Sequence, residues 1–154
     1  MKITKKFSLP ELLFYNEVIM VICECLIDVQ FFDLDPMNIV WHGNYVKYLE
    51  HARCDMLSKI GYSYDDMRAD GIAYPVAKMD LKFIKPAFFM QKLKIVTRLI
   101  EIEPSLIIKY EIFDATTGEK IFTAKSMQIC VDINSMESIY TAPKKFIERL
   151  KNYA

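Results

Sequence analysis

The chain has 154 residues, 53% of them hydrophobic and 13% aromatic, and its 20 Lys and Arg balance 20 Asp and Glu. That length and apolar content suit one domain with its own core and exclude a disordered chain. The charge balance leaves no global field to gather nucleic acid or an anionic membrane, so an anionic ligand must be held by a local patch. The cysteines, Cys23, Cys25, Cys54 and Cys130, form no CxxC pair. Their scattering predicts reduced thiols in a cytoplasmic protein rather than a disulfide framework or a metal site.

Lys2, Lys5 and Lys6 ahead of an apolar stretch imitate a signal peptide, but Pro10, Glu11 and Glu17 fall inside the stretch and no small-residue cleavage site follows. No run reaches the roughly 20 nearly uncharged residues that a membrane span needs. Ser8-Leu9-Pro10-Glu11 reads as a capped helix start and predicts a short helix over 9–16. From Val21 the pattern alternates, with Val21, Cys23, Cys25, Ile27, Val29 and Phe31 on one face and Glu24, Asp28 and Gln30 on the other. This predicts a half-buried strand. After a polar turn around Asp33 to Pro36, Tyr45, Leu49, Ala52, Met56 and Ile60 recur at helical spacing. Asn44 reads as the N-cap and Gly61 as the stop, so the helix is expected over 45–60.

Tyr62 to Gly71 reads as a polar exit, and alternation returns over 73–83, with Pro75 marking a bulge or an edge. Three further strands, 92–102, 106–113 and 120–133, are joined by short turn-rich connections and form an antiparallel meander. In the last of them Met127, Ile129, Val131 and Ile133 are expected inward, Gln128 and Asp132 outward. Thr141-Ala142-Pro143 opens a terminal helix through Leu150. One long helix against a five-stranded antiparallel sheet is a two-layer α+β domain.

The order of elements and the motif Asp35-Pro36-x-x-Ile39-Val40-Trp41-His42-x-Asn44-Tyr45, followed by Glu50 and Arg53, resemble the hotdog-fold acyl-CoA thioesterases. The likeness is to their 4-hydroxybenzoyl-CoA thioesterase and YbgC-like branch, and it runs from about residue 21 to 133. The resemblance implies a single hotdog domain over 1–154, its sheet wrapped around one long central helix, with residues 1–17 as an N-terminal extension. It implies hydrolysis of an acyl-CoA or acyl-carrier-protein thioester. It matches Asp35, rather than Asp33, to the family's catalytic carboxylate. A carboxylate can attack a thioester directly or deprotonate the water that does so, and neither route requires a metal or another cofactor.

Attack puts negative charge on the thioester oxygen, and the free N–H groups of a helix start can receive it. By the resemblance, the His42 amide polarises the carbonyl, Gly43 permits close approach of substrate, and the His42 imidazole stands near the thioester. Asn44 caps this helix end. Trp41 reads as either pocket wall or core, Tyr45 as core, and His51 as helix surface. Glu50 and Arg53 read as an ordinary surface ion pair, which the resemblance turns into a pocket-wall role for Glu50. Lys82, Lys85, Arg98 and Lys125 come from strands that could bring charge to the pocket mouth, although each reads more readily as a solvated residue on a polar strand face.

Where the branch has a Gly-Asp turn before the third strand, this chain reads Phe88-Phe89-Met90-Gln91-Lys92. The resemblance implies a homodimer or homotetramer built through edge strands, and the apolar residues from Phe83 to Phe89 agree with a covered edge. Two alternatives remain open: an acyl-CoA-binding hotdog protein without turnover, and an acyl-thioester hydratase or dehydratase. The second needs a paired His and carboxylate, and His51 is expected to face away from the helix entrance.

Overall fold

The computed structural model describes residues 21–153; the helix expected over 9–16 and the extension at 1–17 lie outside them. Strand β1 (Val21–Asp28) leads through a short 3-10 turn (Phe31–Asp33) to helix α1 (Asn44–Ile60), then α2 (Tyr64–Ala69), β2 (Ile72–Ala73) and β3 (Val76–Phe83). Strands β4 (Lys92–Glu101), β5 (Leu106–Asp114) and β6 (Lys120–Gln128) follow, with β7 (Cys130–Asp132), β8 (Ser138–Ile139) and helix α3 (Lys144–Tyr153). The five long strands form one antiparallel sheet in the order β1-β4-β5-β6-β3, and β2-β7-β8 make a small second sheet.

Helix α1 lies on the inner face of the large sheet, against β1 and β4. The stripe read from the sequence is the one it buries: Tyr45, Leu49, Ala52, Met56 and Ile60 are all in the core, facing Leu93, Ile95, Leu99, Ile108 and Ile112. Each fully buried side chain of this size contributes about 1.5–3 kcal/mol relative to exposure. Gly61 ends the helix in the left-handed region (φ 82), where its N–H and that of Tyr62 both donate to the Leu57 carbonyl at 3.0 Å. Helix α3 closes this end, stacking Phe146 on Tyr62 at 4.9 Å between ring centres.

Four expectations need correction. The strand predicted over 21–31 stops at Asp28, and Phe31, expected inward, is 70% exposed in the 3-10 turn. The polar exit holds helix α2, built by a capping box: Ser63 Oγ accepts from the Asp66 N–H at 3.3 Å, and Asp66 Oδ2 accepts from the Ser63 N–H at 2.8 Å. The strand expected over 120–133 is two strands. It breaks at Ile129, whose N–H donates to the Pro75 carbonyl at 3.2 Å while the chain crosses into the small sheet. The facing of β6 is the reverse of the expected one: Phe122, Ala124, Ser126 and Gln128 point inward, Gln128 with no exposed surface, and Ile133 is exposed. A period of two flips every side chain when the phase is misread by one residue. Pro75 does interrupt its strand, separating β2 from β3.

Strand β3 is one edge of the large sheet. Val76, Leu81, Phe83 and Ile84 along it, and Phe88, Phe89 and Met90 beyond it, are exposed. That row of large apolar side chains exceeds what scattered surface residues leave open. Among the described residues no helix is long and apolar enough to cross a membrane.

Candidate active site

The crossing from β1 to α1 is fastened by Asp33. Its carboxylate is 9% exposed, and Oδ2 accepts from the Tyr48 hydroxyl and from the Gln30 N–H, both at 2.9 Å. Its carbonyl accepts from the Trp41 N–H at 2.9 Å and from Asn44 Nδ2 at 2.8 Å. Burial, and then the Asp33 carboxylate accepting its proton, push the Tyr48 hydroxyl far above the ordinary phenol range. Asp33 thus ties the strand exit to the first turns of α1 by four hydrogen bonds.

Asp35 occupies a tight turn two residues on. Its N–H donates to the Ile39 carbonyl at 2.8 Å, its carbonyl accepts from the Asn38 N–H at 2.9 Å, and Asn38 takes the left-handed conformation (φ 61) that closes the turn. Oδ1 accepts from the Met37 N–H at 2.8 Å, while Oδ2 has no partner among the described residues. The carboxylate is half-buried. It is therefore held in place by its own turn.

At the helix start, Gly43 rather than Asn44 holds the cap position, with helical angles (φ −67, ψ −25) and no side-chain cap. Asn44 is the first helical residue, and its side chain reaches back to Asp33 instead of satisfying the helix. The N–H groups of His42 and Gly43 have no backbone partner among the described residues. A helix start without a side-chain cap keeps its N–H groups available for an anion. The Trp41 indole lies over Gly43: a Cβ there would meet the ring at 2.3 Å, so any larger residue would push the indole aside. Trp41 is 47% exposed, which excludes a core role, and the exposed His42 ring sits 5.1 Å from it. Tyr45 is core, stacked on Phe122 at 4.7 Å.

The reading of Glu50 and Arg53 as a surface pair is corrected. Arg53 is 8% exposed, and its Nη2 donates to Glu50 Oε2 at 2.6 Å. The network orients the Gln128 amide so that its oxygen accepts from Arg53 Nη1 at 3.3 Å and from Ser126 Oγ at 2.7 Å, and its nitrogen donates to the Leu106 carbonyl at 3.0 Å. Tyr110 stands 3.4 Å from Ser126, and the Arg53 guanidinium lies over the Tyr64 ring, but Arg53 Nε is unpartnered. This buried polar patch on the inner sheet face was missed. Its signal, Ser126 and Gln128 alternating with apolar residues, is the same whichever face is inward.

His51 is exposed, as expected. Lys82, Arg98 and Lys125 lie on the sheet face opposite α1, and Lys85 is paired with Glu119. Among the described residues no cluster of His, Cys, Asp and Glu is placed to hold a metal ion.

The family model described as the thioesterase-like superfamily matches residues 29–150. The acyl-CoA thioester hydrolase YbgC of Escherichia coli is 28% identical over 124 residues, covering 80% of this chain and 91% of that protein. The structure of DHNA-CoA thioesterase from Staphylococcus aureus superposes with a TM-score of 0.77 at 29% identity, covering 85% of this chain and 89% of that one. A 1,4-dihydroxy-2-naphthoyl-CoA thioesterase from Synechocystis shares the fold at a TM-score of 0.77 and 17% identity, covering 84% of this chain and 96% of that one. The strand exit, turn and helix start carrying Asp35 and His42 fall inside the matched region, and the chain belongs to the thioesterase-like superfamily as a hotdog-fold thioester hydrolase.

Proposed function

We propose that the protein hydrolyses acyl-CoA thioesters to a free acid and CoA, with Asp35 as nucleophile or general base and the His42 and Gly43 amides receiving the charge that forms on the thioester oxygen. The observation that carries this reading is the pairing of a turn-held carboxylate, one oxygen free, with an uncapped helix start seven residues on. The name of the YbgC relative supports the substrate class.

As nucleophile, Asp35 would bond to the acyl carbon while the C–S bond breaks and the thiolate leaves; water would then hydrolyse the mixed anhydride. As base, it would take a proton from the water that attacks. In both routes the amides stabilise the same oxyanion, and losing one such donor costs about 10²–10³ in rate in other acyl-transfer enzymes. The His42 imidazole would donate a proton to the leaving thiolate. Trp41 would form a movable wall over Gly43, Asn44 would hold the helix end to Asp33, and Glu50 would act through Arg53 on the pocket floor.

The apolar row along β3 supports a homodimer, or a tetramer built from it, in which edge strands pair and a partner covers the patch. Four free thiols among the described residues support a cytoplasmic protein of one hotdog domain. Replacement of Asp35 by Asn, assayed by thiol release across acyl-CoA and acyl-carrier-protein thioesters, tests the reading. Thioesters that survive intact while acyl-CoA still raises the melting temperature of the wild type would favour binding without turnover.

A further inference from the structure

The outer face of the large sheet, opposite α1, bears a groove of about 360 Å³ whose charged lining is Lys82, Arg98, Lys109 and Lys125 against Asp80 and Glu111. The strand register sets three of these cations in one row: Arg98 is directly opposite Lys109, and Lys109 directly opposite Lys125. Like charges directly opposite across strands are destabilising, so Lys109, set between Arg98 and Lys125, works against the fold, while Lys125 also lies opposite Asp80 of β3. The groove's carboxylates are already engaged, Glu111 by Arg98 and Lys120, and Asp80 by Lys78 at 3.6 Å. Lys82, Lys109 and Lys125 have no carboxylate partner among the described residues. In a chain with formal net charge +0, that is a local concentration of positive charge.

We propose that this face docks an acidic helix of a protein partner, laid across the strands. Neighbouring strands are about 4.8 Å apart, so the row presents three cations over about 10 Å. Carboxylates three and four residues apart on a helix recur at about 5–6 Å along one side, which matches that spacing. A second copy of this chain is a poor occupant, because a face-to-face pair would set row against row. A small phosphate is a poor one too, because the sheet amides behind the row are spent in the ladders and leave no backbone cradle. The inference is independent of the reading of Asp35, since the groove lies on the other side of the sheet.

The test uses the intact protein and two synthetic fluorescent peptides of equal composition, one helical with Glu at every third and fourth position, one broken by central prolines. Fluorescence anisotropy at low salt is expected to show tighter binding of the helical peptide, weakening as salt rises. The Lys109→Glu/Lys125→Glu variant should lose at least about tenfold in affinity while thioester hydrolysis stays at the wild-type rate. Lys109→Glu alone should raise the melting temperature, because Lys109 lies directly opposite both Arg98 and Lys125 and the change replaces two repulsions by attractions. If charge reversal impairs folding, Lys109→Gln/Lys125→Gln serves in its place and must show the same loss of binding. Equal affinity for both peptides, undiminished binding by the variants, or displacement of the helical peptide by an equal concentration of tripolyphosphate would overturn the proposal.

Discussion

Asp33 and Asp35 differ by two positions and are assigned opposite work, which makes Asp33→Ala a sharp perturbation. Asp33 Oδ2 is the sole acceptor for the buried Tyr48 hydroxyl among the described residues and also holds the Gln30 N–H. Removing it strands the hydroxyl, at about 1–3 kcal/mol for an unsatisfied buried group, and loses a charge-assisted bond at a chain crossing. The backbone bonds to the Asp33 carbonyl survive, so the total should be about 2–4 kcal/mol. At this chain length that lowers the melting temperature by roughly 5–15 °C. Tyr48→Phe removes the group that would be stranded, so the double variant should fall short of the sum of the singles by about 1–3 kcal/mol. Calorimetric or circular-dichroism melts of the four proteins measure this directly. Thiol release below the transition should remain within about tenfold of wild type, because Asp33 touches no reacting atom in this account. Additive losses in the double variant, or an Asp33→Ala protein that melts normally yet is inactive, would refute the clasp.

The Glu50–Arg53 pair should respond asymmetrically, because the Arg53 side chain is 9% exposed and that of Glu50 41%. Glu50→Ala leaves a buried cation short of its partner, though Gln128 and Tyr64 still meet it, and should cost about 1–3 kcal/mol, whereas Arg53→Met leaves a carboxylate that water can reach and should cost less, as urea titrations will show. Gly43→Ala drives a Cβ into the far edge of the Trp41 ring, which is 47% exposed and can swing aside, so stability should fall by less than about 1 kcal/mol. Trp41 is the chain's one tryptophan, so its emission should shift in the same variant; an unchanged spectrum would mean the ring was never against Gly43. Lys145, with the Ser63 N–H and hydroxyl, holds the Asp66 carboxyl down from 3.8 to about 2. A depressed folded value means stability that is present above the ordinary value and lost as pH falls toward 2. The gap in melting temperature between wild type and Lys145→Met should therefore be open at pH 5 and narrow on acidification to pH 2, and a constant gap would contradict the assignment.

What was legible in the sequence was local and periodic. The stripe from Tyr45 to Ile60, the left-handed glycine at Gly61, the break at Pro75 and the turn-linked meander each follow from one rule acting on neighbouring residues. The capping box at Ser63 is equally local, but the charge in Tyr62 to Gly71 reads as a loop when the helix is six residues long. The other misses depend on partners far along the chain. Asn44 has the chemistry of an N-cap, but the Asp33 carbonyl, eleven residues earlier, takes its amide. Arg53 is buried because Gln128 and Tyr64 meet it from β6 and α2, and Gln128 is inward because Ser126 and Leu106 satisfy its amide. Alternation alone cannot phase a strand whose two faces both carry apolar side chains.

The most direct test of the central claim is the turnover of Asp35→Asn. Asparagine keeps the turn-closing acceptor for the Met37 N–H, so the variant should melt within about 2 °C of wild type. It can neither attack nor take a proton, so thiol release from an acyl-CoA that the wild type hydrolyses should fall by at least about 100-fold. A folded Asp35→Asn protein that turns over at a rate close to wild type would contradict the account.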